Sequence, residues 1–410
     1  MDNVLVIGAG PAGLLAAGIA AQAGARVRVL AAGIGTTHIM PGWLGVLRGD
    51  GELKPRLQAL VGEQPEHPYA LAGLDALEDG LAALRALVEP AGLTYVGDLA
   101  RNFRLPTALG NEAQAAVVPA SFAAGDLSDP APMLIAGPAG WRDFYPALCA
   151  ENLARRGVPA RAAAFELPEL HDSKFDATAA GVARLFDRPD VRGRVAAQIK
   201  AALNGAPRVG LPAVVGLAHH RAAWEDLQAR IGAAVFEIPT LPPSVPGMRL
   251  FFALRDALTR MGATIVFDME VARGLVERGR AVGVVVPNPS RDGVYRGDRI
   301  ILATGGLYGG GITSDHHGNL REKVFGLPVA GPAERAAWFG PQFIPPAGGH
   351  AVHRAGLRAD SRLRPLDEQG AAALDNVRIA GRLLAGYDPL EEGSTEGVWL
   401  ATAYRAARAN

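Results

Sequence analysis

The N-terminal segment does most to limit what this chain can fold into. Asn3-Val4-Leu5-Val6-Ile7 is a short apolar run, Gly8-Ala9-Gly10-Pro11-Ala12-Gly13 a glycine turn, and Leu14 to Ala23 an alanine-rich helical stretch. Gly24 to Leu30 then supplies a second strand. Strand, glycine turn, helix and strand in that order make the βαβ unit that cradles a dinucleotide pyrophosphate. Gly8 permits the sharp turn, Gly10 lets the backbone approach phosphate, and Gly13 lets the helix sit close to the strand. Free amide N–H groups at the helix start then face the anion. Gly8, Ala9, Gly10, Pro11, Ala12 and Gly13 are therefore expected cofactor contacts.

One part of the pattern is missing. Proteins with this unit commonly carry an acidic residue about twenty residues after the glycines, where it holds the ribose hydroxyls. Ala31-Ala32-Gly33 occupies that place. Without the carboxylate the adenosine half must be held otherwise or be absent, so FMN stands beside FAD as a candidate cofactor.

Composition narrows the function classes. The 410 residues are 49% apolar and 20% charged, an ordinary globular balance with room for two domains. Forty-one basic and forty-one acidic residues cancel, which leaves no field for nucleic acid or for direct membrane adhesion. No apolar run is long enough to span a bilayer. Asp2 stands where a signal peptide would be basic, so a cytoplasmic chain is expected. The single cysteine, Cys149, rules out an internal disulfide, a cysteine-ligated iron–sulfur cluster and a CxxC pair. It reads as a buried, inert thiol.

Downstream, the loop Gly33 to His38 brings Thr36 and Thr37 beside the end of the second strand. Leu74, Leu77, Leu81, Leu84 and Leu87 form one helical stripe within Leu71 to Val88. Residues 92–245 alternate strand and helix without a repeat and are expected to form an inserted, mixed α+β substrate or cap domain. The dinucleotide half, 1–91 and 246–410, resumes with a helix over Met248 to Arg260 closed by Gly262. Strands follow at Thr264 to Phe267, Val271 to Val276 and Ala281 to Val286. Arg299 to Ala303 is a further apolar strand, ending in Thr304-Gly305-Gly306. Asn376 to Gly381 is the last strand, and Gly386-Tyr387-Asp388-Pro389 leads into a helix over Glu391 to Ala409 that carries Gly393 and Gly397. The expected architecture is α/β, a Rossmann-like FAD/NAD(P)-binding fold whose three glycine-bearing segments enclose one flavin.

Together these segments resemble the B-subunit family of anaerobic glycerol-3-phosphate dehydrogenases, which are flavoproteins. The resemblance is carried by the absent ribose acid, Thr37-His38, Gly42-Trp43-Leu44-Gly45-Val46-Leu47, His67-Pro68-Tyr69 and Ser244 to Leu250. It continues through Gly356 to Asp360, Leu363-Arg364-Pro365 and the Gly386 to Pro389 motif. The resemblance implies oxidation of sn-glycerol 3-phosphate to dihydroxyacetone phosphate, with electrons passed toward a quinone. It also implies FMN and two partners, a second flavoprotein subunit and an iron–sulfur anchor subunit that holds the chain at the inner face of the cell membrane. Where the family carries a serine-rich loop, this chain has Ile39-Met40-Pro41-Gly42.

Alcohol oxidation through a flavin needs a base for the hydroxyl proton. His38, His350 and His353 are the candidates, since imidazole titrates near working pH and each lies beside a glycine-rich stretch. A phosphorylated substrate calls for arginine, for which Arg249, Arg321 and Arg354 are candidates. His219-His220 and His316-His317 lack ligand company at metal spacing, so no metal is expected.

Overall fold

A computed structural model describes residues 2–170, 177–343 and 348–408. Its centre is a five-stranded sheet in the order Thr264–Val266, Arg26–Leu30, Asn3–Ile7, Arg299–Leu302, Val377–Ile379. Every neighbouring pair in this sheet is parallel. Parallel sheets are covered on both faces, and Val4 to Ile7 and Ile300 to Leu302 are accordingly buried without alternation. Helix Pro11–Gln22 opens with proline at its first position and is buried over its first ten residues. It packs against Val245–Arg260 and the terminal helix Thr395–Arg408. A three-stranded antiparallel sheet, Arg273–Glu277, Arg280–Val286 and Gly293–Arg296, completes this half.

Two helices are interrupted where the sequence reads them as continuous. The stretch Leu71 to Val88 is divided at Gly73 into Pro68–Ala72 and Leu74–Val88. The C-terminal stretch is divided at Gly393 into Pro389–Glu392 and Thr395–Arg408. Both glycines sit at positive φ, +87° and +61°, a region that helical residues do not occupy. Residue 409 lies outside the described residues. The leucine stripe is core: Leu77, Leu81, Leu84 and Leu87 are buried.

The inserted region is mixed, with one larger parallel sheet and short antiparallel pairs. Its sheet, ordered Ala234–Ile238, Arg208–Pro212, Met133–Pro138, Ala160–Phe165, is wholly parallel, with helices on its faces. The region divides differently from the expected 92–245 boundary. Leu93, Tyr95, Ala116 and Val117 belong to the core of the flavin half, while the second core begins with Met133. The antiparallel pairs Tyr95–Gly97 with Val117–Pro119 and Phe103–Pro106 with Glu112–Ala115 bridge the two. Composition did not show this because the bridging strands are only three or four residues long.

Candidate flavin cleft and the groups around it

The first strand ends at Ile7 and Gly8 turns the chain at φ +109°. A Cβ at Gly8 would lie 2.3 Å from the Ala303 carbonyl oxygen on the neighbouring strand, so only glycine allows the two strand ends to meet. Pro11 has no N–H to lose at the helix start, and Leu14 N–H closes the first turn on the Gly10 carbonyl at 3.0 Å. The amides of Ala12 and Gly13 are left for an anion. A Cβ at Gly10 would meet nothing within 4 Å. That empty approach is what a phosphate requires.

These groups open onto a cleft of about 680 Å³. It is lined by Gly8 to Ala12 and Gly35-Thr36, by Ala31, Ala32 and Gly33 with Met269, Glu270 and Val271, and by His38, Ile39, Met40, Thr304, Gly305, Tyr308, Ala380, Arg382, Thr395 and Trp399. The three distant glycine segments thus converge on one cavity. Gly381 seats its loop against the first helix, where its Cβ would lie 2.8 Å from Ala12 Cβ. The Gly381 N–H donates to Thr402 Oγ1 at 2.9 Å, which ties the loop to the terminal helix. Thr395, the first residue of that helix, brings a second helix N-terminus to the cleft.

Several residues singled out from the sequence lie elsewhere. Thr37 is fully buried, its hydroxyl donating to the Ile34 carbonyl at 3.2 Å. Gly13, Gly306, Gly381, Gly386, Tyr387, Asp388, Gly393 and Gly397 are not on the cleft wall. A Cβ at Gly397 would strike Tyr69 Oη at 1.9 Å, so that glycine serves helix packing. Asp388 caps a short helix, its Oδ1 accepting from the Leu390 and Glu391 amides at 3.0 and 3.2 Å. Conversely, Glu270, Tyr308, Lys323, Arg382 and Trp399 line the cleft without any motif to mark them. Only their neighbours in the fold bring them there.

The arginine candidates do not reach the cleft. Arg249 is buried and forks onto Glu237, Nη1 to Oε2 at 2.8 Å and Nη2 to Oε1 at 3.0 Å. Ser121 Oγ and the Val215 amide also donate to that carboxylate. Burial opposes ionisation of Glu237, but Arg249 and then His220 hold its carboxyl below the ordinary range. Arg249 is a strut between the two cores, its Nε donating to the Gly216 carbonyl at 2.9 Å and its fork taken up by Glu237. Arg321 and Arg354 are exposed and off the cleft wall. His220 bonds Val215 O and Ser121 Oγ, and its neighbour His219 is off the cleft wall. Cys149 is buried and its thiol is pushed up to about 12 by that burial, as an inert thiol requires.

Among the histidines, His350 is engaged at both nitrogens: Nδ1 accepts from the Gly340 amide and Nε2 donates to the Phe343 carbonyl, each at 3.1 Å. His38 lines the cleft with its Nδ1 buried and unpartnered. His353 is buried behind Tyr308, with ring centroids 6.0 Å apart. Its Nδ1 also lacks a hydrogen bond.

The fit to a flavin nucleotide is seen in the polar atoms left without partners. Thr304 Oγ1, Trp399 Nε1 and His38 Nδ1 are all sealed from solvent and unbonded among the described residues, and all belong to cleft-lining side chains. Buried polar groups are normally satisfied. A polar ligand lying along this wall supplies the missing partners. At the adenosine end the place of the missing ribose acid is not empty of charge, because Glu270 and Lys323 pair there.

A dinucleotide-binding βαβ unit, two further segments converging on it and a cleft of about 680 Å³ between them define an FAD-dependent oxidoreductase. The description "FAD binding domain" covers the family whose pattern matches residues 3–398, which gives the FMN expectation no support. The chain is 35% identical to the probable anaerobic glycerol-3-phosphate dehydrogenase B-subunit of Halobacterium salinarum, over 100% of this chain and 97% of that one. It is 31% identical to the corresponding B-subunit of Yersinia enterocolitica, over 98% and 96%. The protein belongs to this B-subunit family of anaerobic glycerol-3-phosphate dehydrogenases, within the FAD-binding-domain proteins. Similar solved structures include a 3-ketosteroid dehydrogenase from Rhodococcus jostii, with TM-score 0.40, 14% identity and coverage of 100% of this chain and 96% of that chain. Another is the quinol fumarate reductase of E. coli, with TM-score 0.43, 9% identity and coverage of 99% and 69%. No helix among the described residues is long and apolar enough to cross a membrane.

Proposed function

We propose that this chain carries FAD and oxidises sn-glycerol 3-phosphate to dihydroxyacetone phosphate. In this reading a second flavoprotein subunit and an iron–sulfur anchor subunit take the electrons on toward a quinone and hold the complex at the inner membrane face. The observation that carries the reading is the cleft itself. It includes both the pyrophosphate-binding turn and the end of the second strand at Ala31, with Glu270 and Val271 beside it, and relatives covering the whole chain bear the activity in their names. Glu270 takes over the role of the absent strand-end acid toward the ribose hydroxyls, from a different segment of chain.

When bound, the flavin supplies the two-electron acceptor. The protein's share is to bind the phosphates at the Ala12 amide beside the open Gly10 backbone and to set the N-terminus of helix Thr395–Arg408 against the electron-rich end of the ring system. It also excludes water with Ile39, Met40 and Trp399.

The test is anaerobic addition of glycerol 3-phosphate to the purified, flavin-loaded chain, with the extracted cofactor weighed by mass spectrometry. Bleaching of the flavin and the mass of FAD support the proposal. A stoichiometric FMN mass overturns the cofactor assignment. A flavin bleached only when the second flavoprotein subunit is added makes this chain an electron relay. A flavin untouched by this substrate with or without partners places the chemistry elsewhere among flavin-dependent oxidoreductases.

A further inference from the structure

Among the described residues, the cleft wall contains one cation with no carboxylate partner. Lys323 is paired with Glu270. Arg382 has no ion pair there: one Nη2 hydrogen goes to the His353 carbonyl, Nη1 is sealed and unbonded, and the guanidinium lies 5.4 Å above the Tyr387 ring. A buried arginine N–H without an acceptor costs free energy in every state except the one in which its ligand is bound.

Directly behind it lies a second unsatisfied pair. Asp388 is fully buried, yet Oδ2 has no hydrogen bond. His353 Nδ1 is likewise unbonded and stands 3.8 Å from that oxygen. The separation is slightly too long for a hydrogen bond and is short enough to close with a small ring movement. A carboxylate at Nδ1 fixes the tautomer of a histidine and leaves Nε2 as the proton acceptor. His353 lies just behind the cleft wall, where its ring retains 9% of its side-chain surface and stands 6.0 Å from, and tilted 55° to, the ring of Tyr308, a cleft residue.

We infer that Arg382 anchors the phosphate of a small phosphorylated hydroxy substrate, and that His353, positioned by Asp388, takes up the proton of its hydroxyl. This deepens the proposed function and rests on it. A bound flavin would supply the oxidant, taking the carbinol hydrogen together with the C–H electron pair as hydride. The O–H bond breaks with its proton going to His353 Nε2, and a ketone remains. The imidazole becomes imidazolium beside Asp388.

The groups that face His353 set the pH at which it works. Burial lowers its pKa below the ordinary histidine value, Asp388 opposes that shift, and His350 and Arg382 add to it. His350 lies 5.2 Å away between ring centroids. Tyr308 and the buried Tyr387 complete the surroundings. Turnover therefore rises with pH as His353 loses its proton, and neutralising Asp388 moves that limb to lower pH.

The experiment uses the full-length, FAD-loaded chain and three variants. Each is checked first for flavin content, then for glycerol 3-phosphate and inorganic phosphate binding by calorimetry, and then for the rate of flavin bleaching across pH. Arg382→Gln is expected to weaken both ligands by about tenfold or more with FAD retained. His353→Gln is expected to leave affinity within about threefold and to slow bleaching by about a hundredfold or more. Asp388→Asn keeps the amide oxygen that caps the short helix, and it is expected to shift the pH limb downward. The histidine resonance missing from His353→Gln titrates independently of activity, and it should move to lower pH in Asp388→Asn. If Arg382→Gln sheds FAD yet binds phosphate normally, the arginine belongs to the cofactor and the inference falls. It falls equally if His353→Gln bleaches at the wild-type rate or if Asp388→Asn moves neither the limb nor the resonance. A wild-type flavin that glycerol 3-phosphate does not bleach overturns the proposed function instead. Phosphate affinity in Arg382→Gln and the His353 titration then still decide the geometry.

Discussion

The buried Arg249–Glu237 pair gives the sharpest test of how the two cores are joined. Glu237 is 1% exposed and Arg249 5%, and the carboxylate receives four hydrogen bonds of 2.8 to 3.0 Å, from Arg249 Nη1, Arg249 Nη2, Ser121 and Val215. Arg249→Met removes the two charge-assisted bonds and leaves a sealed carboxylate facing only Ser121, Val215 and a neutral His220. Breaking one partner of a buried pair costs about 3–5 kcal/mol, most of it from the charge left behind. Arg249→Lys should recover little, since an ammonium cannot span both carboxylate oxygens. Replacing both members by methionine should recover more than half of the loss, because no charge is then stranded. The assay is urea unfolding followed by tryptophan fluorescence and circular dichroism, where the single change should lower the midpoint by about 1 M or more. Flavin content should be unchanged, as Arg249 does not line the cleft. A midpoint within about 0.3 M of wild type, accompanied by weaker glycerol 3-phosphate binding, would refute the strut and restore Arg249 as a substrate anchor.

Three further outcomes follow from the same geometry. Gly10→Val should fold with the thermal stability of flavin-free wild type and purify colourless, because the new side chain enters only the space meant for phosphate; a yellow variant would misplace the pyrophosphate. Burial holds His220 down at about 4, so the unfolded chain binds the extra proton between about pH 6.5 and 4, and stability is lost as pH falls through that window, by up to about 3 kcal/mol; His220→Gln should remove this slope from the urea midpoint measured against pH. Glu396 behaves oppositely: burial raises its carboxyl to about 7 against the bond from the Gly45 amide, so the folded chain binds the extra proton between about pH 4.5 and 7 and loses stability as pH rises. Glu396→Gln should therefore be relatively more stable at pH 8 than at pH 4, and an unchanged difference between those pH values would contradict a raised carboxyl at this half-buried position.

The extent to which the site was legible in the sequence depended on whether the constraint was local. Gly8 and Gly10 announce themselves because a turn and a close backbone approach permit no side chain there, whatever surrounds them. The strands Asn3–Ile7 and Arg299–Leu302 are legible for a similar reason, since a strand covered on both faces must be apolar throughout. Helix breaks at Gly73 and Gly393 were harder to read, because a single glycine within a periodic stretch is compatible with either a continuous or an interrupted helix. Arg249 looked like a phosphate ligand since it sits among residues shared with the family, and nothing local reveals that Glu237, on another domain's strand, consumes its guanidinium.

Local chain chemistry alone thus determined the βαβ unit, the strand ending in Thr304-Gly305 and the helix stripe at Leu77 to Leu87, since propensity, turn geometry and hydrophobic period act over a few residues. Packing between distant segments decided the rest. Arg382, Tyr308, Trp399 and Glu270 acquire their places in the cleft only when four separate stretches of chain are folded onto one sheet, and the pairing of His353 with Asp388 exists only across a loop closure that no short-range pattern encodes.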